Sequence, residues 1–533
     1  MIRLSQMAAL TCASFIAIGT IGCKKSTTNV EKFETLATLA EADEACPVPE
    51  HVLQDITLDI NKTQIAINTA LISQDIAYGF ADGSIGFYAE STQKPQAVSP
   101  LAEAITVKVK TLQENTAKVK KELVAGDGSV IYGEDIACDS GTYSADYNET
   151  YTEGDEGSEN ETSRLTLSFD ECVLEKNSAN SELISFFTDT IMYNSVLNNL
   201  YYSADIEIYT FNGSLSLTYN RDYSYTDTSE PVIEPTNDTN YASTNNNVGQ
   251  SNLLTNGLSM VYTVGGIVQE TFSSSVRLAV SSMDNYESNN TTEFETVAAY
   301  NDGNYTRNYV SMSNNTLSIE FDGTEKYQSV GEDNETSELR AFCYTAELEN
   351  SYSYNSQYVY SGGNYSGYSS SNNGENSIVT NGYIALGSSY NDEDTFVDLY
   401  GDGLSVNSSY EYSDTDIGYN ESSTLSINGT MGSASINGRV DFDTQVTWLM
   451  SSEYNGFGGI RPRSDFRGGY YLPYTPYAGK TVLTSANTAT VEFMFETIEE
   501  EPYTYGTITI EDEDPIRYDN VYELLGDTYY GDI

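Results

Sequence analysis

The sequence predicts an α+β protein, mainly β: an N-terminal helical hairpin packed on a large antiparallel β-sheet or sandwich. Short alternations of apolar and polar residues recur from about residue 130 onward, as in Leu215-Ser216-Leu217-Thr218-Tyr219 and Leu317-Ser318-Ile319-Glu320-Phe321. That period of two marks strands with one packed and one wet face. Asn256-Gly257, Asp322-Gly323, Asn381-Gly382, Asn428-Gly429 and Asn437-Gly438 punctuate these runs, and such dipeptides supply the positive φ angles of two-residue hairpin turns. Between residues 51 and 126 the spacing is different. Leu53, Ile56, Ile60, Ile67 and Leu71, then Ile105, Val109, Leu112, Val119 and Leu123, recur at helical intervals. Ser99-Pro100 suits a helix start and Gly126 a stop, although Ile56, Leu58 and Ile60 also fit a strand.

The first 22 residues read as a secretory leader: one positive charge at Arg3, an apolar stretch from Met7 to Ile21, and the small-residue approach Gly19-Thr20-Ile21-Gly22 before Cys23. The apolar stretch is too short to span ~30 Å of hydrocarbon. A cysteine directly after the small residues resembles the lipobox of bacterial lipoproteins, with Thr20 standing where that family usually has Leu. The resemblance implies diacylation of Cys23, loss of the leader, and stable membrane attachment, since two acyl chains hold where one is marginal. Lys24 and Lys25 follow, and without an Asp at the second position the resemblance implies the outer membrane or cell surface. Residues 23–50 are then a lipidated tether ending at Cys46-Pro47-Val48-Pro49.

The chain has 24 Lys and Arg against 79 Asp and Glu, a net charge of −55. Such a field repels polyanions, so nucleic acid is not an expected partner. The chain also carries 44 Tyr and 18 Phe, too aromatic for a disordered segment. Tyrosine in this quantity argues for an ordered, half-wet β surface.

Once Cys12 leaves with the leader and Cys23 is lipidated, Cys46, Cys138, Cys172 and Cys343 remain. An exported chain meets an oxidising compartment, so an even number reads as disulfides. The acidic, turn-like stretch 153–160 lies midway between Cys138 and Cys172. Pairing of 141–152 with 162–171 as a hairpin would bring these two cysteines opposite each other at its mouth, within the ~5.5 Å Cα spacing a disulfide needs. Cys46 with Cys343 follows by elimination.

Residues 130–460 read as an antiparallel β domain, with 351–376 either long surface hairpins or a loop. Its apolar faces hold about three residues before a charge or turn, short of the ~10-residue strands of a transmembrane barrel. Residues 461–478 form a connector containing Arg461, Arg463, Arg467, Tyr470 and Tyr471. Arg and Tyr among Gly and Pro suit a recognition loop for a protein or glycan partner, or a linker whose arginines pair with the acidic sheet. Residues 479–533 read as a C-terminal β module.

The pattern from Cys138-Asp139-Ser140-Gly141 through Phe169-Asp170-Glu171-Cys172, followed by Asn212-Gly213-Ser214-Leu215, resembles a group of β-rich bacterial lipoproteins. Gly479-Lys480-Thr481-Val482 to Thr507-Ile508-Thr509-Ile510 is similar to their closing strands. The likeness covers about a third of the chain and implies a surface-type β architecture with no activity attached.

No catalytic constellation emerges. His51 is the single histidine, which a Ser-His-Asp arrangement would have to use and a zinc site would want supplemented. It reads better as an exposed or capping residue. Phosphate-loop and dinucleotide fingerprints are missing, and no cofactor or metal is expected. The acidic runs Asp392-Glu393-Asp394 with Asp398, and Glu511 to Asp514, lack EF-hand spacing and read as solvated loops. Trp448, the one tryptophan, reads as a core anchor. These features favour a non-enzymatic binding or surface-structural role. An envelope carrier of an apolar ligand and a carbohydrate-active enzyme are the rivals.

Overall fold

The computed structural model describes residues 48–82, 124–125, 129–130, 138–153, 158–178, 180–193, 197, 207–229, 239–293, 303–329, 335–390, 393–416, 418–455, 476–498, 501–518 and 524. One turn of 3-10 helix, Glu50–Leu53, precedes α1 (Ile60–Asp82). The short strands β1 (Val124–Ala125) and β2 (Ser129–Val130) pair with each other. Then come β3 (Ser140–Glu153), β4 (Ser158–Glu175), α2 (Ser181–Tyr193), β5 (Ile208–Ser229), β6 (Thr239–Val264), β7 (Ile267–Glu293) and β8 (Tyr305–Ser329). They are followed by β9 (Thr336–Ser361), β10 (Asn364–Tyr390), β11 (Glu393–Thr415), β12 (Gly418–Ser433) and β13 (Gly438–Asn455). The last strands are β14 (Pro476–Thr484), β15 (Thr488–Ile498), β16 (Glu501–Ile510) and β17 (Ile516–Tyr518).

Strands β3 to β17 form one 15-stranded antiparallel sheet in which every strand pairs with its sequence neighbour. The strands after residue 476 extend this same sheet, β14 lying beside β13. The stretch 351–376 is a long hairpin of β9 and β10, turning at Gly362-Gly363 with φ of +62° and +74°, angles that glycine adopts without strain.

The strands are longer than the sequence pattern implied, up to 27 residues in β7 and β10. The reason lies in the Asn-Gly and Asp-Gly dipeptides. Asn437-Gly438 is a hairpin turn, but Gly257, Gly323, Gly382 and Gly429 sit inside strands, at or beside register shifts. With Gly141, Gly213 and Gly403 they make a belt of β-bulges crossing the sheet, all at positive φ. At Gly213, Gly382 and Gly429 an added Cβ would strike the neighbouring strand's backbone at Gly257, Cys343 and Gly403. Side chains next to the glycines secure the belt: backbone N–H groups of Glu171, Gly403 and Thr444 donate to the Oδ1 atoms of Asn212, Asn381 and Asn428 at 2.8, 2.7 and 2.9 Å. A bulge adds a residue and bends a strand without ending it. A turn-like dipeptide therefore does not bound an element here.

The apolar residues gather near this belt. Leu215, Leu217, Leu253, Leu278, Leu317, Ile319, Leu348, Val406 and Ile427 are buried on one sheet face and form a single core with α1 and α2. Thr63, Ala66, Ile67, Ala70 and Leu71 are the buried stripe of α1, spaced to lie on one helical face. The N–H of Lys62 donates to Asp59 Oδ1 at 2.8 Å, capping the helix start. Ahead of it the chain is extended rather than helical, and crosses the rim of the sheet. Arg439 N donates to the Gln54 carbonyl at 2.9 Å, and Leu58 N and O bond the Asn487 side chain at 2.6 and 3.0 Å.

Helix α2 is an element that the sequence reading passed over, though Asn180 followed by Leu183, Phe187 and Ile191 carries the signal of a cap and an apolar stripe. Phe187 is fully buried, with ring centroids 4.8 Å from Phe169, 4.9 Å from Tyr143 and 5.4 Å from Phe211. The expected second helix of the hairpin, over 100–123, lies outside the described residues.

The expected β3–β4 hairpin is present, Tyr143 facing Phe169 and Asp146 facing Thr166. Cys138 and Cys172 are disulfide-bonded with Cα atoms 5.4 Å apart. Cys343 is also disulfide-bonded, and its expected partner Cys46 lies outside the described residues. Trp448 is buried, donates from Nε1 to Thr481 Oγ1 at 2.9 Å and packs edge-on against Phe493 at 4.7 Å, a core anchor as expected.

Candidate functional site

Beyond the core the strands β3 to β13 continue into a distal half with a different composition. Alternation still decides which face each side chain takes. On β8, Leu317, Ile319 and Phe321 face the helices; two-residue steps back along the strand place Asn315, Ser313, Ser311 and Tyr309 on that same face. Register carries the assignment to the neighbouring strands. Ser313 faces Tyr286 on β7 and Tyr352 on β9; Tyr286 faces Asn245, which faces Tyr225. In the other direction Tyr352 faces Gly374, which faces Tyr410, which faces Ser423. One row thus reads Tyr225, Asn245, Tyr286, Ser313, Tyr352, Gly374, Tyr410, Ser423: tyrosine on every second strand, a small residue between.

The neighbouring rows add Tyr223, Tyr309, Tyr354, Tyr358, Tyr360, Tyr368 and Tyr412. Among the described side chains in the distal parts of β5 and of β7 to β11, every tyrosine lies on this core-side face. The opposite face presents Ser, Thr, Asn and carboxylates, such as Asn220, Asp222, Glu287, Asn314, Asn373, Glu375 and Glu411. Strand length alone would allow a transmembrane barrel, but this outward face lacks the apolar band that lipid requires. No helix among the described residues is long and apolar enough to cross a membrane.

The tyrosines touch one another. Tyr305 stacks on Tyr360 with centroids 4.4 Å apart, Tyr358 lies 4.9 Å from Tyr368, and Tyr309 lies 5.8 Å from Tyr354. The hydroxyls of Tyr286 and Tyr309 are 3.0 Å apart. Tyr410 bonds Asn372 Oδ1 at 3.2 Å, and its ring fills the space where Gly374 lacks a side chain. Burial, followed by the Tyr286 hydrogen bond, pushes the Tyr309 hydroxyl up to about 12. Burial likewise raises Tyr352 and Tyr354. These hydroxyls therefore act as neutral donors and acceptors at physiological pH.

The small residues between the rings are shielded. Ser313 is 2% exposed and Ser423 7%. Their hydroxyls, with Asn245 Oδ1 in the same row, have no hydrogen-bond partner among the described residues. A buried polar atom left unpaired costs about 1–3 kcal/mol, which a water or ligand hydroxyl can recover.

Two other polar clusters lie in the basal part. The Asp398 carboxylate is buried and accepts from Tyr383 Oη at 3.2 Å, Ser433 Oγ at 2.9 Å and Ala434 N at 2.7 Å. His51 Nε2 is 3.5 Å from it. This His-Asp-Ser group is not a nucleophilic triad, because Ser433 bonds the carboxylate rather than the imidazole. It fastens the β12–β13 connection to the sheet beside the 3-10 turn. Elsewhere, burial and then Glu335 hold the Glu270 carboxyl above the usual carboxylate range. Among the described residues no three His, Cys, Asp or Glu side chains converge on a metal site.

Cys23 and the connector residues Arg461, Arg463, Arg467, Tyr470 and Tyr471 lie outside the described residues. On either side, β13 ends at Asn455 and β14 begins at Pro476, so residues 476–478 of the expected connector are strand, and Asn455 faces Gly418 at the distal end of β12. The sequence reading found tyrosine as a surface residue but missed its sorting to one face, because sorting needs the register. No family model, no curated protein and no solved structure matches this chain.

Proposed function

We propose that this chain is a lipid-anchored cell-envelope protein, on the outer membrane or cell surface, whose role is non-enzymatic binding through the tyrosine face of its distal half-sheet. The observation that carries the reading is the segregation of tyrosine. Tyr combines a large rigid contact area with a hydroxyl and loses little conformational entropy on binding, which is why recognition surfaces are rich in it. Sheet stability alone would not need it on one face only. An envelope carrier would use a hollow between helices and sheet, where Phe187, Phe211 and Leu71 are each fully buried. Their burial there supports binding on the surface. Lipidation of Cys23 would supply the attachment.

Fractionation tests the anchor: the parent partitions with membranes and Cys23→Ser is recovered soluble. Adsorption tests the face. Purified protein should adsorb saturably to isolated envelopes, and Tyr352→Ala with Tyr410→Ala should abolish most of that. Equal adsorption by the double variant would remove the reading.

A further inference from the structure

We infer that the occupant of the row from Tyr225 to Ser423 is a neutral polysaccharide running across the strands, its sugar rings stacked on Tyr286, Tyr352 and Tyr410. This deepens the reading of the tyrosine face as a binding surface and rests on it.

Neutral residues make up the whole row, in a chain of net charge −55. A polyanion would be repelled by the surrounding field, and a polycation would find no carboxylate in the row itself: Glu287, Glu375 and Glu411 lie on the opposite face, and Asp414 on the tyrosine face sits beyond Tyr412 at the strand end. The row suits a ligand without charge.

Geometry narrows the class further. Tyrosines on every second strand stand about 9.5 Å apart, twice the strand spacing, close to the length of two linked hexoses. That interval is set by the backbone; the Tyr410 ring leans over Gly374, so rings and small residues together form one continuous platform for a repeating polymer. A sugar ring has an apolar C–H face that packs on an aromatic ring and equatorial hydroxyls that reach sideways. Around the rings lie groups of matching chemistry: the Tyr286 and Tyr309 hydroxyl pair, and the unpartnered Ser313 Oγ, Ser423 Oγ and Asn245 Oδ1. A purely apolar occupant would leave these atoms unpaired at a cost. A hydroxyl-rich one completes them through waters held between the rings.

The test is affinity electrophoresis of the full chain in detergent, in native gels containing hydroxyethyl cellulose, glucomannan or dextran, with alginate as a polyanion. The parent is retarded in at least one neutral gel and not in alginate. The variant Tyr286→Ala/Tyr352→Ala/Tyr410→Ala weakens that affinity at least about tenfold. The corresponding triple Phe variant stays within about threefold, because ring stacking survives. Asn373→Ala on the opposite face matches the parent. Single Tyr352→Ala replaces the triple if circular dichroism shows the triple misfolded. No retardation of the parent in any neutral gel overturns the inference, as does an Ala variant retarded like the parent. If the parent also adsorbs to envelopes through these tyrosines, only the sugar identity falls; if the Ala variant adsorbs as well as the parent, the binding face falls with it.

Discussion

The same strands build two unlike halves. Near the bulge belt, alternate residues are Leu, Ile, Val and Phe, and the face they make is covered by α1 and α2. About ten residues further along, the same positions carry Tyr, Ser and Asn, with both hydrogen-bonded neighbours still in place. Backbone pairing is thus continuous, and the difference is one of covering. Basal stability comes from apolar burial at ~25 cal/mol per Å². The distal half holds its order by cross-strand pairs such as Tyr305 with Tyr360, each contributing about 0.2–1 kcal/mol. A half-sheet built this way keeps its shape with an aromatic face that no described element covers.

The largest effect should come from emptying the basal core. Phe187→Ala is expected to cost about 3–5 kcal/mol in denaturant unfolding, because its ring meets Phe169, Phe211 and Tyr143. An effect below about 1 kcal/mol would show that α2 does not pack on the sheet. Opening the Cys138–Cys172 bridge, with a sequence separation of 34, should cost about 3–4 kcal/mol on the chain-entropy model. Calorimetry of Cys138→Ser/Cys172→Ser measures this.

The belt between the halves offers a graded test. Gly213→Ala should destabilise by about 2 kcal/mol or more, since φ is +81° and a Cβ would meet the Gly257 carbonyl. At Gly257, φ is +52° with open space beyond, so Gly257→Ala should cost only about 1 kcal/mol. Equal losses would mean the close approach at Gly213 is not there.

In the distal half the expected changes are smaller. Folding holds the Tyr309 hydroxyl protonated up to about 12, against 10.0 for an exposed tyrosine. The folded state thus keeps a proton that the unfolded state releases. Its contribution is fully present below pH 10 and lost as pH rises toward 12. Titration at the phenolate absorbance should show one fewer late-titrating tyrosine in Tyr309→Phe than in the parent. Smallest of all is Tyr352→Ala, expected to change stability by less than about 1 kcal/mol.

The sequence made the strand content readable because alternation is local. Leu215-Ser216-Leu217 declares its two faces without help from the rest of the chain, and the Cys138–Cys172 hairpin follows from symmetry about its acidic turn. The bulge belt was not readable. Asn256-Gly257 and Asn437-Gly438 carry the same positive-φ signal, and only the neighbouring strand decides between a bulge and a turn. The candidate site was hidden for a related reason. Tyr286, Tyr352 and Tyr410 have no sequence relation to one another, and become one row only through the register of the strands between them.

Hydrogen exchange within single strands tests the contrast between the halves most directly. On β8, Leu317–Phe321 lie under the helices, and Tyr305–Ser311 lie behind the tyrosine face, which no described element covers. Slow exchange is expected in the first group, approaching global unfolding, and exchange at least about tenfold faster in the second through local opening. Equal protection along β8 and β9 would contradict it, showing that the distal half is covered as thoroughly as the core.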